Sequence, residues 1–270
     1  MKTEIPSIQQ YQAIKPYGLI AASGRVAARM LPVAAPAATD HFKKLVKPII
    51  DCEQLSMGKH IDSDQLEANL EMVTAIRTLV CNESSLGSFV GQAFDAIEKS
   101  AKINCFFSKN FTGQGAQHLD SFAELAVQVR DSTIIGKAVN KDLEAEFLSP
   151  IESVFTFEKR YTQEAIRDVV WLRELTTSSI KSSLSQSDLE TTPLWSTGAP
   201  GYWLPLKGDA VLADIVTKIR AHTSDRAWKL QNICLLVDRI TSCYPMVISS
   251  AILGGSASWA ANGNFGLGRY

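Results

Sequence analysis

The 29 residues between Arg239 and Arg269 contain no Asp, Glu, Lys, Arg or His. The run reads ITSCYPMVISSAILGGSASWAANGNFGLG. A stretch this poor in charge does not form a hydrated face, so it has to pack against its own fold, a partner or a membrane. A membrane span needs about 20 predominantly apolar residues. Here Ser249, Ser250, Gly254, Gly255, Ser256 and Ser258 dilute the run, and only Met246 to Leu253 is strongly apolar. The composition argues against a membrane partner and for a buried helix, either central to the fold or completed by a second subunit.

Other absences narrow the chemistry. The five cysteines, Cys52, Cys81, Cys105, Cys234 and Cys243, are odd in number and include no CxxC pair. That excludes a regular disulfide framework and fits reduced thiols in an intracellular, reducing compartment. Met1 to Gln10 is polar and carries Glu4 and Pro6, so no secretory signal is expected. The histidines, His41, His60, His118 and His222, are scattered, with no HExxH spacing. No metal ligand set is assigned. Neither a GxxxxGK[ST] loop nor a GxGxxG following a strand occurs, so no nucleotide cofactor is expected. No repeat of 20 to 50 residues is visible. The net charge of -1 implies no whole-molecule attraction to a polyanion.

One short segment, Phe111 to Gln117 (FTGQGAQ), resembles the N-terminal glycine-rich motif of the malonyl/acyl-CoA transacylase family. The resemblance would imply an acyl site on an alternating strand–helix fold. That family also needs a G-H-S-x-G nucleophile elbow, and no GxSxG is present anywhere in the chain. The seven residues are therefore read as a turn, and no catalytic residue or cofactor is assigned.

What the chain has is helical periodicity. Leu66, Leu70, Val73, Ile76 and Val80 lie at three- and four-residue steps and predict a helix over 63–81, with Asp62 and Gln65 as a capping box. Leu86, Val90, Phe94, Ile97 and Ala101 predict the next. Further helices are expected at 39–49, where Pro48 should bend or divide the helix, and at 118–131, 141–148, 150–158, 162–185, 209–221, 223–240 and 245–261. The segment 105–117 reads as a loop, and INCFF at 103–107 and VFTF at 154–157 are the only short strand patterns. Pro6, Pro16, Pro32 and Pro36 suggest an extended arm around one short helix, Leu19 to Met30. The expected fold is all-α, an irregular bundle of about ten helices with a Pro-rich N-terminal arm and a Gly-rich C-terminal tail. The expected division is an arm at 1–38, a helical body at 39–190 and a C-terminal helical subdomain at 191–270.

Two residue groups stand out as sites. Arg25, Arg29, Lys43, Lys44 and Lys47 form the densest basic group, in a first 60 residues of net charge +4 (eight Lys/Arg, four Asp/Glu). They are the candidate nucleic-acid contact. Ser250, Gly254 and Ser258 share one helical face and permit close helix approach. With Trp195, Tyr202, Trp203 and Trp259 they are the candidate interface, since tryptophan and tyrosine are enriched in binding hot spots. The expected function is a non-enzymatic structural or assembly subunit, as a homo-oligomer or within a larger complex. The alternatives are a nucleic-acid-coating subunit, an enzyme with a pocket under the 193–208 loop, and a membrane-inserting effector.

Overall fold

A computed structural model describes residues 4–34, 38, 41–82, 88–112, 119–147, 157–178 and 183–191. Among these residues there are eight helices and no strand. They are α1 (Ile8–Gln12), α2 (Pro16–Ala34), α3 (Phe42–Ser56), α4 (Ser63–Asn82), α5 (Ser88–Phe111), α6 (Leu119–Phe147), α7 (Phe157–Ser178) and α8 (Gln186–Thr191). The all-α reading is correct for the described residues. The helices expected beyond residue 191 lie outside them.

The helix predicted over 63–81 is α4, and its stripe is used as expected. Leu66, Val73, Ile76 and Val80 are buried. Asp62 caps it by accepting from the Asp64 amide at 3.4 Å through Oδ1. At the start of α8, Ser185 and Asp188 cap each other reciprocally. The Ser185 amide donates to Asp188 Oδ2 at 2.7 Å, and the Asp188 amide donates to Ser185 Oγ at 3.1 Å.

Four expectations require correction. The first concerns the N-terminal arm, which is helical from Pro16 to Ala34 and lies inside the bundle. Pro16 occupies the first helical position, where its missing N–H costs nothing. Leu19, Ile20, Ala27, Met30, Leu31 and Ala34 are fully buried. Second, of the two effects expected of Pro48, bending or division, division does not occur, since α3 runs through it. The Pro48 carbonyl accepts from Asn104 Nδ2 at 2.9 Å, and this bond ties the irregular point to α5. Third, INCFF and the first residues of the loop expected at 105–117 are helix, because Ile103 and Phe107 continue the α5 stripe as far as Phe111. Fourth, the helices expected at 118–131 and 141–148 are one, α6. Residues 154–156 of the second strand pattern lie outside the described residues, and Phe157 opens α7.

Sequential helices pack antiparallel. Arg77 of α4 pairs with Asp95 and Glu98 of α5. Lys99 of α5 pairs with Asp131 of α6. Lys137 of α6 pairs with Glu158 of α7. α2 lies across α3, α5, α6 and α7. Its contact with α3 is close because Gly24 faces Cys52, and a Cβ at Gly24 would sit 2.7 Å from Cys52 Cβ.

The apolar core falls into two clusters at opposite ends of the bundle. One holds Val26 to Ala34 of α2, Leu45 and Ile49 of α3, Val73 to Val80 of α4 and Phe89 to Ile97 of α5. The other holds Leu19 to Ala22, Cys52 and Leu55, Leu66, Ile103 and Phe107, Leu125 to Val129, and Val169 and Leu172. Between them every long helix contributes a buried polar side chain: Ser23, Asp51, Asn69, Ser100, Thr133 and Asp168. The molecule therefore carries a polar belt at mid-height.

Gly136 of α6 lies under the Tyr161 ring of α7, and a Cβ there would meet the phenol Cζ at 2.5 Å. Alanine gains about 1 kcal/mol of helix propensity over glycine, but overpacking a rigid ring contact costs about 1–3 kcal/mol. Gly136→Ala should therefore lower stability, read as a lower urea midpoint with unchanged m. A midpoint at or above that of the parent protein would contradict the close α6–α7 contact.

Candidate functional site

The polar belt has two halves, and both converge on α2. The first is built mostly from uncharged side chains. Cys52 of α3 donates its thiol to Asn104 Oδ1 at 2.9 Å and lies 3.2 Å from Ser100 Oγ. Ser100 in turn lies 3.0 Å from Ser23 Oγ of α2. Asn69 Nδ2 donates to Asp51 Oδ2 at 2.7 Å and joins α4 to α3. Burial pushes the Cys52 thiol up to about 12, against the lowering effect of its bond with Ser100. A thiol so protonated and enclosed is neither a nucleophile nor a metal ligand.

The second half is ionic and joins α2 to α7. Asp168 of α7 lies 3.0 Å from Arg25 Nε and accepts from Arg29 Nη1 at 2.6 Å. Arg167 Nη2 donates to its other oxygen at 3.2 Å. Glu164 pairs with Arg167 Nη1 at 2.7 Å and Arg29 Nη2 at 3.7 Å. The Arg25 guanidinium also rests over the Trp171 ring, 5.3 Å from its centroid, a cation–π contact. Helix spacing makes the cluster: Arg25 and Arg29 are four apart on α2, as are Glu164 and Asp168 on α7. Beside it, Tyr11 of α1 donates its hydroxyl to Thr133 Oγ1 of α6 at 2.8 Å, and Thr133 donates to the Val129 carbonyl at 3.1 Å. Burial raises the Tyr11 phenol well above its usual value, so it stays a donor.

Burial alone would raise the Asp168 carboxyl, but the guanidiniums of Arg25 and Arg29 outweigh it and hold the group well below the ordinary 3.8. Burial lowers the Arg25 guanidinium, and the Asp168 charge opposes this. Asp168 is thus a fixed negative charge near neutral pH. The chemistry of the pairing between Asp168 and the two α2 arginines is that of a clamp.

Two of the five candidate nucleic-acid residues, Arg25 and Arg29, are therefore placed differently from Lys44 and Lys47. Arg29 is 1 % exposed and bound to carboxylates, and Arg25 is mostly covered. Neither shares the surface on which Lys44 and Lys47 of α3 are exposed. Basic composition gave no warning, because the neutralising acids come about 140 residues later in the chain. Lys43 also falls on α3. The interface candidates Trp195, Tyr202, Trp203, Ser250, Gly254, Ser258 and Trp259, and the 193–208 loop, lie outside the described residues. The sequence reading missed Asp168, Glu164, Asn69 and Asp51. The available signal was a polar residue on an otherwise apolar helical stripe, as Asn69 is between Leu66 and Val73.

Among the described residues, no cluster of three His, Cys, Asp or Glu side chains is arranged to hold a metal ion, and no helix is long and apolar enough to cross a membrane. No family model matches the chain, and no curated protein or solved structure matches it either.

Two outcomes follow from the belt. Because folding depresses the Asp168 value, its stabilisation is complete above roughly pH 4 and is lost as the pH falls below it. Asp168→Asn should cost about 3–5 kcal/mol at neutral pH and flatten the acid side of a stability–pH curve measured by urea unfolding. An acid limb as steep as the parent's would rule out Asp168 as its source. Native-state alkylation mapped by mass spectrometry should modify the exposed Cys81 and leave the buried Cys52 untouched. Modification of both at equal rates would mean the half of the belt around Cys52 is open.

Proposed function

We propose that the chain is a non-enzymatic α-helical assembly subunit that acts through protein–protein contacts. The observation that carries this reading is the charge-free run 240–268, in which Ser250, Gly254 and Ser258 recur at four-residue steps beside Trp259. Small residues at that spacing suit close packing of one helix on another, and a neighbouring tryptophan suits an interface centre. The chemistry of the bundle is consistent with this. Three of its buried titratable groups are engaged inside the bundle: Cys52 with Ser100 and Asn104, Tyr11 with Thr133, and Asp168 with Arg25 and Arg29.

The nucleic-acid-coating reading has Lys44 and Lys47, exposed three residues apart on α3, in its favour. Loss of Arg25 and Arg29 from that face makes it the second choice. Size-exclusion chromatography with light scattering tests both readings on the full chain. The assembly reading expects a mass that is a multiple of 29.5 kDa and a protein-like absorbance ratio. A monomer across the micromolar range would overturn it. A raised 260 nm absorbance that falls as salt increases would favour the coating reading.

A further inference from the structure

We propose that the outer stripe of α6 is the berth of the charge-free segment 245–261 from a second copy of the chain. This rests on the assembly reading and deepens it by naming the surface. α6 departs from the usual amphipathic pattern. A helix on the outside of a bundle is apolar toward the core and polar opposite, and one that is apolar on both sides packs on both sides. The core side of α6 carries the buried Leu125, Ala126, Val129 and Val139. On the opposite side Val127 is 44 % exposed and Ile134 40 %. The half-buried Ala123 and Ala138 extend this pair in both directions. At about 100° per residue the four fall within roughly 60° of one another. The exposed Asp120 and Lys141 lie on the same line and bound the stripe at its two ends.

The polar groups along its margins are held within the bundle. Midway, Arg130 Nε donates to the Pro6 carbonyl at 3.3 Å on one side, and Asp131 pairs with Lys99 at 3.5 Å on the other. Further along, Glu124 accepts from Gln128 Nε2 at 3.0 Å and Lys137 pairs with Glu158 at 3.1 Å. A charged occupant would compete for these bonds, and an uncharged one leaves them in place. Segment 245–261 contains no Asp, Glu, Lys, Arg or His. The dimensions agree, since residues 123–138 of α6 span about 22 Å and a helix over 245–261 spans about 24 Å. Residues 192–244 lie between α8 and this segment, enough chain to reach a neighbouring copy.

A photoactivatable benzophenone amino acid in place of Ile134, irradiated in the purified full chain, tests this. The expected product is a covalent dimer of twice 29.5 kDa, whose digest joins an α6 peptide to one from 245–261. A second measurement uses Val127→Lys together with Ile134→Lys, both at exposed positions. The pair should raise the dissociation constant of the oligomer about thirtyfold or more and leave the helix content unchanged. Light scattering separates the two readings. A monomeric parent chain overturns the assembly reading and this berth with it. An oligomeric parent whose crosslinks avoid 245–261, or reach it only within one chain, overturns the berth alone. So does a double variant that assembles as tightly as the parent.

Discussion

The fold depends on the meeting of Arg29 with Asp168. α2 is the central helix, and a central helix cannot carry two arginines unless a counter-charge comes inside with them. Asp168 supplies it at 2.6 Å, with Glu164 and Arg167 completing the set. Hydrophobic residues of similar volume would hold the helices together at least as well. What the ion cluster adds is position. Arg25 and Arg29 can meet Glu164 and Asp168 in one register only, and sliding α7 by a turn would leave buried charge unpaired.

The rest of the belt extends this logic to every long helix. The bonds of Cys52 with Ser100 and Asn104 fix α3 against α5, and Asn69 with Asp51 fixes α4 against α3. Tyr11 with Thr133 fixes α1 on α6. Above and below, two apolar clusters supply most of the cohesion without specifying height. A bundle of alanine-rich and leucine-rich stripes has many nearly equivalent registers. A single polar level shared by six helices distinguishes among them, since each misalignment strands several donors and acceptors at once.

The sequence disclosed the helices well where one face is uniformly apolar. Leu66, Val73, Ile76 and Val80 are an example, and α4 runs within a residue of its expected span. It misled where local chemistry opposes tertiary packing. Proline at 16 and 32 reads as an extended arm, yet α2 begins on one of these residues and ends just past the other. Phe106 and Phe107 resemble a strand, but Phe107 packs on Tyr17 and Phe111 within the second cluster. The belt itself was hidden because its pairs lie far apart in the chain. Arg25 and Arg29 looked like a free basic patch, since periodicity reports which residues share a face and not which distant residue faces them.

That separation has a consequence for synthesis on the ribosome. Arg29 is translated 139 positions ahead of Asp168, and Lys15 comes 161 ahead of Thr176. At 5–20 residues per second, roughly 7–30 s pass before the acid that neutralises the second helix exists. The nascent segment meanwhile offers apolar and cationic groups with no cognate acid. The α2 segment is thus among the last to reach its final surroundings, and its two arginines wait for their counter-charges until α7 emerges.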